Sequence, residues 1–365
     1  YKALVVPGAR LMPADVLAKL LDLAKEGATV VFLDQYPEDV PGYAGLERRR
    51  TEFKRTLEQI KKLGNERGKD QTVLFGTDYA RTLAQTAAIP EAMKTSFDLS
   101  CIRRKNTEGY HYFISALTGK DTESWIPLAV PARSAMLYNP MNGSSGKALL
   151  RQKDGKTEVY LQLASGESAI LKTFTEADVQ VPEWKYQTVA QGTVELSGLW
   201  SLRFVESAPA VHSVPDSVSL GSWTDLSFEG AGTTMGTGCY TTAFVIENPA
   251  SAQDWLLSLG DVRESARVRI NGREVATLWA VPYCCPIGQY LRPGKNILEI
   301  EVTNLPANRI ADMDRRGVKW RIFKDINIAA LGYKKGTYAG WEPVPSGLLG
   351  PVRIIPLKIT KNEMQ

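Results

Sequence analysis

Apolar positions at the start of the chain follow first a strand period and then a helix period. Residues 3–6 are a β-rich apolar run closed by Pro7-Gly8, and residues 13–26 carry Leu17, Leu20, Leu21 and Ala24 on one helical face before Gly27 caps them. A strand at 29–33 follows directly, which is the spacing of a βαβ unit with a parallel sheet. Helices are expected at 46–63 and 79–88, around a strand at 73–75. About three such units are few for a doubly wound domain, so more of the sheet is expected upstream of Tyr1.

Near Asp98 the helical period stops. Alternating strands are expected at 110–117, 135–138, 158–163 and 168–174, with turns at Asn142-Gly143 and Asp154-Gly155, and Pro182-Glu183-Trp184 reads as a linker. A second all-β region follows, with strands at 198–204, 240–246, 255–259, 266–270, 275–279, 297–302 and 352–357. Asn271-Gly272 is its strongest signal, because a two-residue hairpin needs positive φ at both central positions. The pattern therefore predicts an α/β domain at 1–97, a small β-domain at 98–180 and a β-sandwich at 190–360.

Composition changes this picture little. The chain has 365 residues, 44% hydrophobic and 23% charged, close to globular averages. Its net charge of +4 is small and its basic residues are interleaved with acidic ones, so no nucleic-acid partner is expected. No apolar run approaches the roughly 20 residues that span a bilayer. The four cysteines, Cys101, Cys239, Cys284 and Cys285, lack zinc-ligand spacing, so no metal is expected. A calcium ion on a sandwich loop is compatible with the pattern, though no Asp-dense loop argues for one.

Catalytic chemistry is thin. Only His111 and His212 occur, in different predicted domains, which gives a Ser-His-Asp site no support. The Val6-Pro7-Gly8-Ala9-Arg10 turn lacks the glycines of a dinucleotide loop and reads as a structural turn. Asp261, Glu264, Asp312, Asp314 and Glu342 could supply paired carboxylates for glycosidic cleavage, but none stands in a catalytic context, so no catalytic residue is assigned.

Aromatic residues gather in the C-terminal region: Trp223, Trp279, Tyr283, Trp320, Tyr333, Tyr338 and Trp341. Sugar rings present apolar C–H faces, so aromatic platforms flanked by polar side chains suit carbohydrate. The candidate contacts are Trp223, Tyr283, Asn304, Asn308, Arg309, Trp320 and Trp341. Core packing is the rival reading: it is favoured for Trp200 and Trp279 and evenly matched for Trp320 and Trp341.

The order Leu257-Ser258-Leu259-Gly260-Asp261-Val262, Val268-Arg269-Ile270-Asn271-Gly272, Trp279-Ala280-Val281-Pro282-Tyr283, Leu291-Arg292-Pro293-Gly294-Lys295-Asn296 resembles the sugar-binding β-sandwich of family 2 glycoside hydrolases. Val302-Thr303-Asn304-Leu305-Pro306-Ala307-Asn308-Arg309-Ile310 and Pro345-Ser346-Gly347-Leu348-Leu349-Gly350-Pro351-Val352 are similar to the C-terminal end of family 106 α-L-rhamnosidase-like proteins. Leu4-Val5-Val6-Pro7-Gly8-Ala9-Arg10 and Glu26-Gly27-Ala28-Thr29-Val30-Val31 resemble the glutamine-amidotransferase-like, flavodoxin-like domain found in such enzymes.

The resemblance implies a multidomain α/β plus all-β fold: a partial flavodoxin-like (amidotransferase-like) α/β domain, a small β-domain, and a galactose-binding-like jelly-roll β-sandwich. It also implies a secreted or periplasmic glycoside hydrolase whose catalytic barrel lies before Tyr1. The expected partners are that upstream catalytic domain and a carbohydrate, a rhamnose-containing glycan among the candidates. No cofactor is implied. The amidotransferase-like part, with no cysteine before Cys101, is expected to be inert. Asn139 and Ser115 stand where many relatives show Asp and Asn, so the polar contacts of those positions are not carried over from the resemblance.

Overall fold

Leu4–Val6, Val30–Leu33 and Val73–Gly76 pair in parallel in that order, and the helices that connect them follow from it. Right-handed crossovers that advance in one direction put successive helices on the same face. Ala14–Lys25 and Leu46–Asn65 accordingly share a core with Val6, Val30, Phe32 and Val73. The opposite face, Val31, Leu33 and Leu74, has the apolar side chains of Ala3 and Leu83 packed against it among the described residues. A helix expected at 79–88 closes early, at Tyr79–Leu83. Asp78 caps its start, and Thr86 then accepts from the Ala88 amide while donating to Leu83 O (2.8 Å), a local alternative to helix.

The structure is a computed structural model that describes residues 2–65, 71–321 and 336–360. The chain divides into two units, Tyr1–Glu91 and Ala92–Gln365. The second unit is built on β-sheets and holds two hydrophobic cores.

The first of these cores lies between a five-stranded antiparallel sheet and a three-stranded one. Gly109–Ser115, Ser134–Tyr138 and Ser168–Phe174 turn Tyr112, Ile114, Leu137 and Leu171 inward, and Lys156–Leu163 supplies Val159 and Leu161. The expected Asp154-Gly155 turn is present, with φ of 51° and 73°. Four strands, Ser100–Lys105, Thr122–Pro127, Ser145–Lys147 and Leu150–Lys153, were not expected. Ser100–Lys105 is an edge strand ending Arg-Arg-Lys, where charge discourages edge pairing and hides the apolar alternation.

The second core is a β-sandwich. One sheet joins Ser201–Ala208, Met235–Ile246, Gly294–Thr303, Ser265–Ile270 and Arg273–Leu278. The other joins Tyr186–Val189, Arg353–Thr360, Asp254–Ser258 and Cys284–Pro286, with Val194–Glu195 added beside Arg353–Thr360. Asn271 and Gly272 take φ of 53° and 77°, as a primed hairpin requires. The Asn271 amide also donates to Asn296 Oδ1 (2.9 Å) and Tyr290 O (3.1 Å), and its Oδ1 accepts from the Ile297 amide, so the hairpin is tied to the neighbouring turn.

The expected linker is instead part of the fold. Strand Tyr186–Val189 pairs with Arg353–Thr360 of the sandwich, yet the Tyr186 ring packs in the preceding core against Tyr160. Its hydroxyl donates to Tyr160 O and accepts from the Leu149 amide, both at 3.1 Å, and burial pushes the phenol up to about 12. Gln162 pairs with both backbone groups of Gln187, at 2.6 and 2.9 Å, as a neighbouring strand would.

Two further expectations are corrected. Trp200 is buried as read, but Trp279 is 65% exposed, because the edge strand Arg273–Leu278 ends just before it. Between the strands expected at 297–302 and 352–357, where no element is expected, the chain forms a helix, Ala307–Arg315. Only Asn308 and Ala311 of that helix are buried, so its packed face carries no large apolar side chain to mark it in so short a stretch of sequence. Asp312 pairs with Arg309 (3.1 Å) and Arg316 (3.0 Å) at helical spacing.

Gly347 has φ of 95° and lies against the Trp223 indole and the Tyr240 hydroxyl, where a Cβ would collide with both. Gly347→Ala is expected to lower the unfolding free energy by about 1–3 kcal/mol through overpacking alone, and more with the backbone cost. Urea denaturation of the two proteins measures it.

Candidate functional site

Three of the residues that the sequence offers as sugar contacts form an internal network. Trp223 is 0% exposed, its indole donates to Tyr240 Oη at 2.6 Å, and Phe204 packs edge-on against it, so no face is free for a ligand. Asn304 and Asn308 are likewise buried. Asn304 accepts from the Gly236 amide (2.9 Å) and donates to Thr234 O and Ser346 Oγ, each at 3.1 Å. Asn308 donates to Val344 O (2.7 Å) and accepts from Val344 N (2.8 Å). Buried amides must find partners, and these use the returning backbone as theirs. Their role is corrected accordingly: they clamp the segment that leads into strand Gly347–Gly350.

Arg309 is spent on Asp312, but Trp320 and Trp341 belong to an aromatic group organised by Asp314. Asp314 accepts from Trp320 Nε1 (2.6 Å), the Tyr338 amide (2.7 Å) and Thr337 Oγ1 (3.1 Å), with Arg321 Nη2 at 3.7 Å. These donors, the Tyr338 amide first, hold its carboxyl below the usual carboxylate range. Tyr338 lies 6.3 Å from Trp320 and 4.5 Å from Trp341 between centroids, and the Arg321 guanidinium stands over Trp320 and Tyr338. Trp341 is 49% exposed and keeps ring surface open to solvent. Tyr333 lies outside the described residues.

Tyr283, the last candidate, leads to a pocket. Its hydroxyl donates to Glu264 O at 2.5 Å, and Gly260, Asp261, Val262, Arg263, Glu264, Val281 and Tyr283 line a shallow recess of about 450 Å³. The recess is tied to the clamp, since strand Asp261–Arg263 pairs with Gly347–Gly350 and the Glu264 amide donates to Thr303 O (2.8 Å). Arg263 faces Asp261 through two 2.7 Å contacts. The one through Nη2 is a well-aligned hydrogen bond. The one through Nε is off the N–H direction and acts electrostatically. The Asp261 carboxylate holds the guanidinium above its ordinary value. Among the described residues the Glu264 carboxylate has no hydrogen-bond or ion-pair partner. Sequence reading named Asp261 and Glu264 only as available carboxylates and missed Arg263 and Val281, whose proximity depends on the fold.

Beside the recess, the turn 164–167 seats Gly166 (φ 90°) against Val281. Glu167 accepts from the Ala164 amide and Asp121 from the Ser165 amide, both at 2.8 Å. Burial, with Asp121 close by, raises the Glu167 carboxyl above its usual range. The four cysteines are all free thiols. Burial pushes Cys285 up to about 12, which keeps it protonated and unreactive. His111 is exposed, with Nδ1 2.8 Å from the Asn106 amide nitrogen, and His212 is exposed in a loop. No group of three His, Cys, Asp or Glu among the described residues is arranged to hold a metal ion. No described helix is long and apolar enough to cross a membrane.

No family model matches the chain. In an alignment of 179 positions that covers 44% of the chain, it is 31% identical to a protein of Formosa agariphila named "Putative beta-glucuronidase", and the alignment covers 15% of that relative. A rhamnosidase from Novosphingobium sp. PP1Y superimposes on 95% of the chain with a TM-score of 0.57 and 22% identity. The chain spans 32% of that enzyme. It thus shares its fold, nearly end to end, with part of a glycoside hydrolase.

Two outcomes follow from this geometry. Asn308→Ala removes the Asn308 bonds to both backbone groups of Val344, leaving its amide without that partner and its carbonyl with Ser346 Oγ alone (3.2 Å), and is expected to cost about 1–3 kcal/mol of stability, read as a lower urea midpoint. Glu167 has a raised pKa when folded, so its contribution is full below the unfolded value of about 4.3 and is lost as pH rises through the folded value. Glu167→Gln should therefore melt above the parent at neutral pH and level with it near pH 4, as a Tm series across pH would record.

Proposed function

We propose that the chain is the non-catalytic C-terminal region of an α-L-rhamnosidase-like glycoside hydrolase of family 106, supporting a catalytic barrel and contacting its glycan through the C-terminal sandwich. The observation that carries this reading is the superposition on a rhamnosidase over 95% of the chain but only 32% of that enzyme. In this reading the α/β part at 1–97 is an inert amidotransferase-like support, 98–180 is a spacer, and 190–360 is a galactose-binding-like jelly roll. The protein works outside the cell or in the periplasm on rhamnose-containing polysaccharide.

The state of the carboxylates supports a role beside catalysis. Retaining and inverting glycosidases both need an acid and a second carboxylate free to act on the substrate. Asp261, Asp312 and Asp314 are each committed to arginine or amide partners within the chain. Among the described residues Glu264 and Glu342 lack such a partner, but of the two only Glu264 lines the recess, and one free carboxylate there does not complete the pair.

Exposure of Trp341 beside Tyr338 favours a second reading, an independent carbohydrate-binding module that stacks sugar on that ring. The 365-residue chain assayed on p-nitrophenyl α-L-rhamnopyranoside beside the longer enzyme is expected to show no turnover above the uncatalysed rate. Turnover at a comparable rate would remove the non-catalytic assignment.

A further inference from the structure

We propose that the recess formed by Gly260, Asp261, Arg263, Glu264, Val281 and Tyr283 binds one ring of a neutral sugar, with Arg263 and Glu264 hydrogen-bonding adjacent hydroxyls; this rests on the carbohydrate reading above and names the site and ligand class within it. A volume of about 450 Å³ is within the range of small-molecule sites, roughly 300–1,000 Å³. The lining combines fixed polar groups with an apolar lip. That is the composition a pyranose demands, since it offers hydroxyls at its rim and C–H bonds on its faces.

Three observations carry the assignment. Arg263 is held by Asp261 through one hydrogen bond and one electrostatic contact, with side-chain exposures of 38% and 42%, so the guanidinium is oriented before any ligand arrives while staying partly open to solvent. A preorganised donor loses little entropy on binding. Glu264 offers an acceptor with no partner among the described residues, and its backbone is pinned on both sides, by Thr303 O at the amide and by Tyr283 Oη at the carbonyl. Val281 is 59% exposed at the rim and supplies apolar contact.

Charge selects the class of sugar. One guanidinium stands against two carboxylates, so the lining carries a net negative charge and Arg263 is already neutralised by Asp261. A uronate would bring a third carboxylate toward Glu264 with no free cation to receive it, and like charges at such distances repel. Neutral hydroxyls, which both donate and accept, satisfy Glu264 and Arg263 together.

Calorimetric titration of the 365-residue chain with methyl α-L-rhamnopyranoside, methyl β-D-galactopyranoside and D-glucuronate tests this. At least one neutral glycoside should bind saturably, with D-glucuronate at least about tenfold weaker. Glu264→Gln and Arg263→Met should each weaken the neutral sugar by about tenfold or more, and Glu264→Gln, which breaks no hydrogen bond of the fold, should keep the parent's Tm. Tighter binding of D-glucuronate, or binding of neither neutral sugar, overturns the proposal. Affinity unchanged in Glu264→Gln but lost in Trp341→Ala also overturns it, and leaves the wider carbohydrate reading standing on the aromatic group.

Discussion

A buried hydrogen bond from the Trp223 indole to Tyr240 Oη, 2.6 Å long, organises the C-terminal sandwich and what surrounds it. The Tyr240 hydroxyl also accepts from the Leu348 amide at 3.2 Å, so one phenol joins a strand of one sheet to the returning strand Gly347–Gly350. The approach is close enough that only glycine fits at 347. Unsatisfied polar groups at this depth would each cost on the order of 1–3 kcal/mol, so the indole, the phenol and the glycine stand or fall together. The neighbouring bonds continue the same constraint. Trp223 N donates to Ser346 O (2.8 Å), Ser346 N to Ser222 Oγ (3.0 Å), and Asn304 and Asn308 hold Ser346 and Val344.

That clamp sets both candidate surfaces. Strand Asp261–Arg263 takes its register from Gly347–Gly350, so the recess with Arg263 and Glu264 inherits its shape from the buried network. The aromatic group hangs from the same place by another route: Asn308 opens the helix that presents Asp314, and Asp314 gathers Trp320, Thr337 and Tyr338. Binding surfaces assembled from loops need such rigid anchors, because a misplaced donor forfeits most of its hydrogen-bond energy.

A comparable joint ties the two β-rich cores together. Tyr186 begins a strand of the sandwich and places its ring in the other core, and Gln162 pairs with the backbone of Gln187 as a strand would. A flexible hinge at this point would leave these buried groups without partners. The stretch Pro182-Glu183-Trp184 looks like a linker because proline and charge break the alternation, but its order comes from contacts distant in sequence, such as Trp184 N with Lys147 O at 2.9 Å.

By itself the sequence determined the elements whose cause is local. The leucine stripe of Ala14–Lys25, the alternation of Gly294–Thr303 and the paired positive φ at Asn271-Gly272 are properties of neighbouring residues, and periodicity reads them directly. Helix Ala307–Arg315 escaped because it is short and buries an Asn and an Ala in place of large apolar side chains, and Trp279 was misassigned because a strand ended one residue sooner than the alternation implied. Tertiary structure alone decided the fate of Trp223, Asn304 and Asn308. Aromatic and amide side chains suit a sugar and a buried network equally well in composition, and only burial, with partners more than a hundred residues away for Ser222 and Tyr240, separates the two. The same reason hid the recess: Glu264 and Arg263 acquire meaning from Asp261, Val281 and Tyr283, which the pairing of strands brings to one edge.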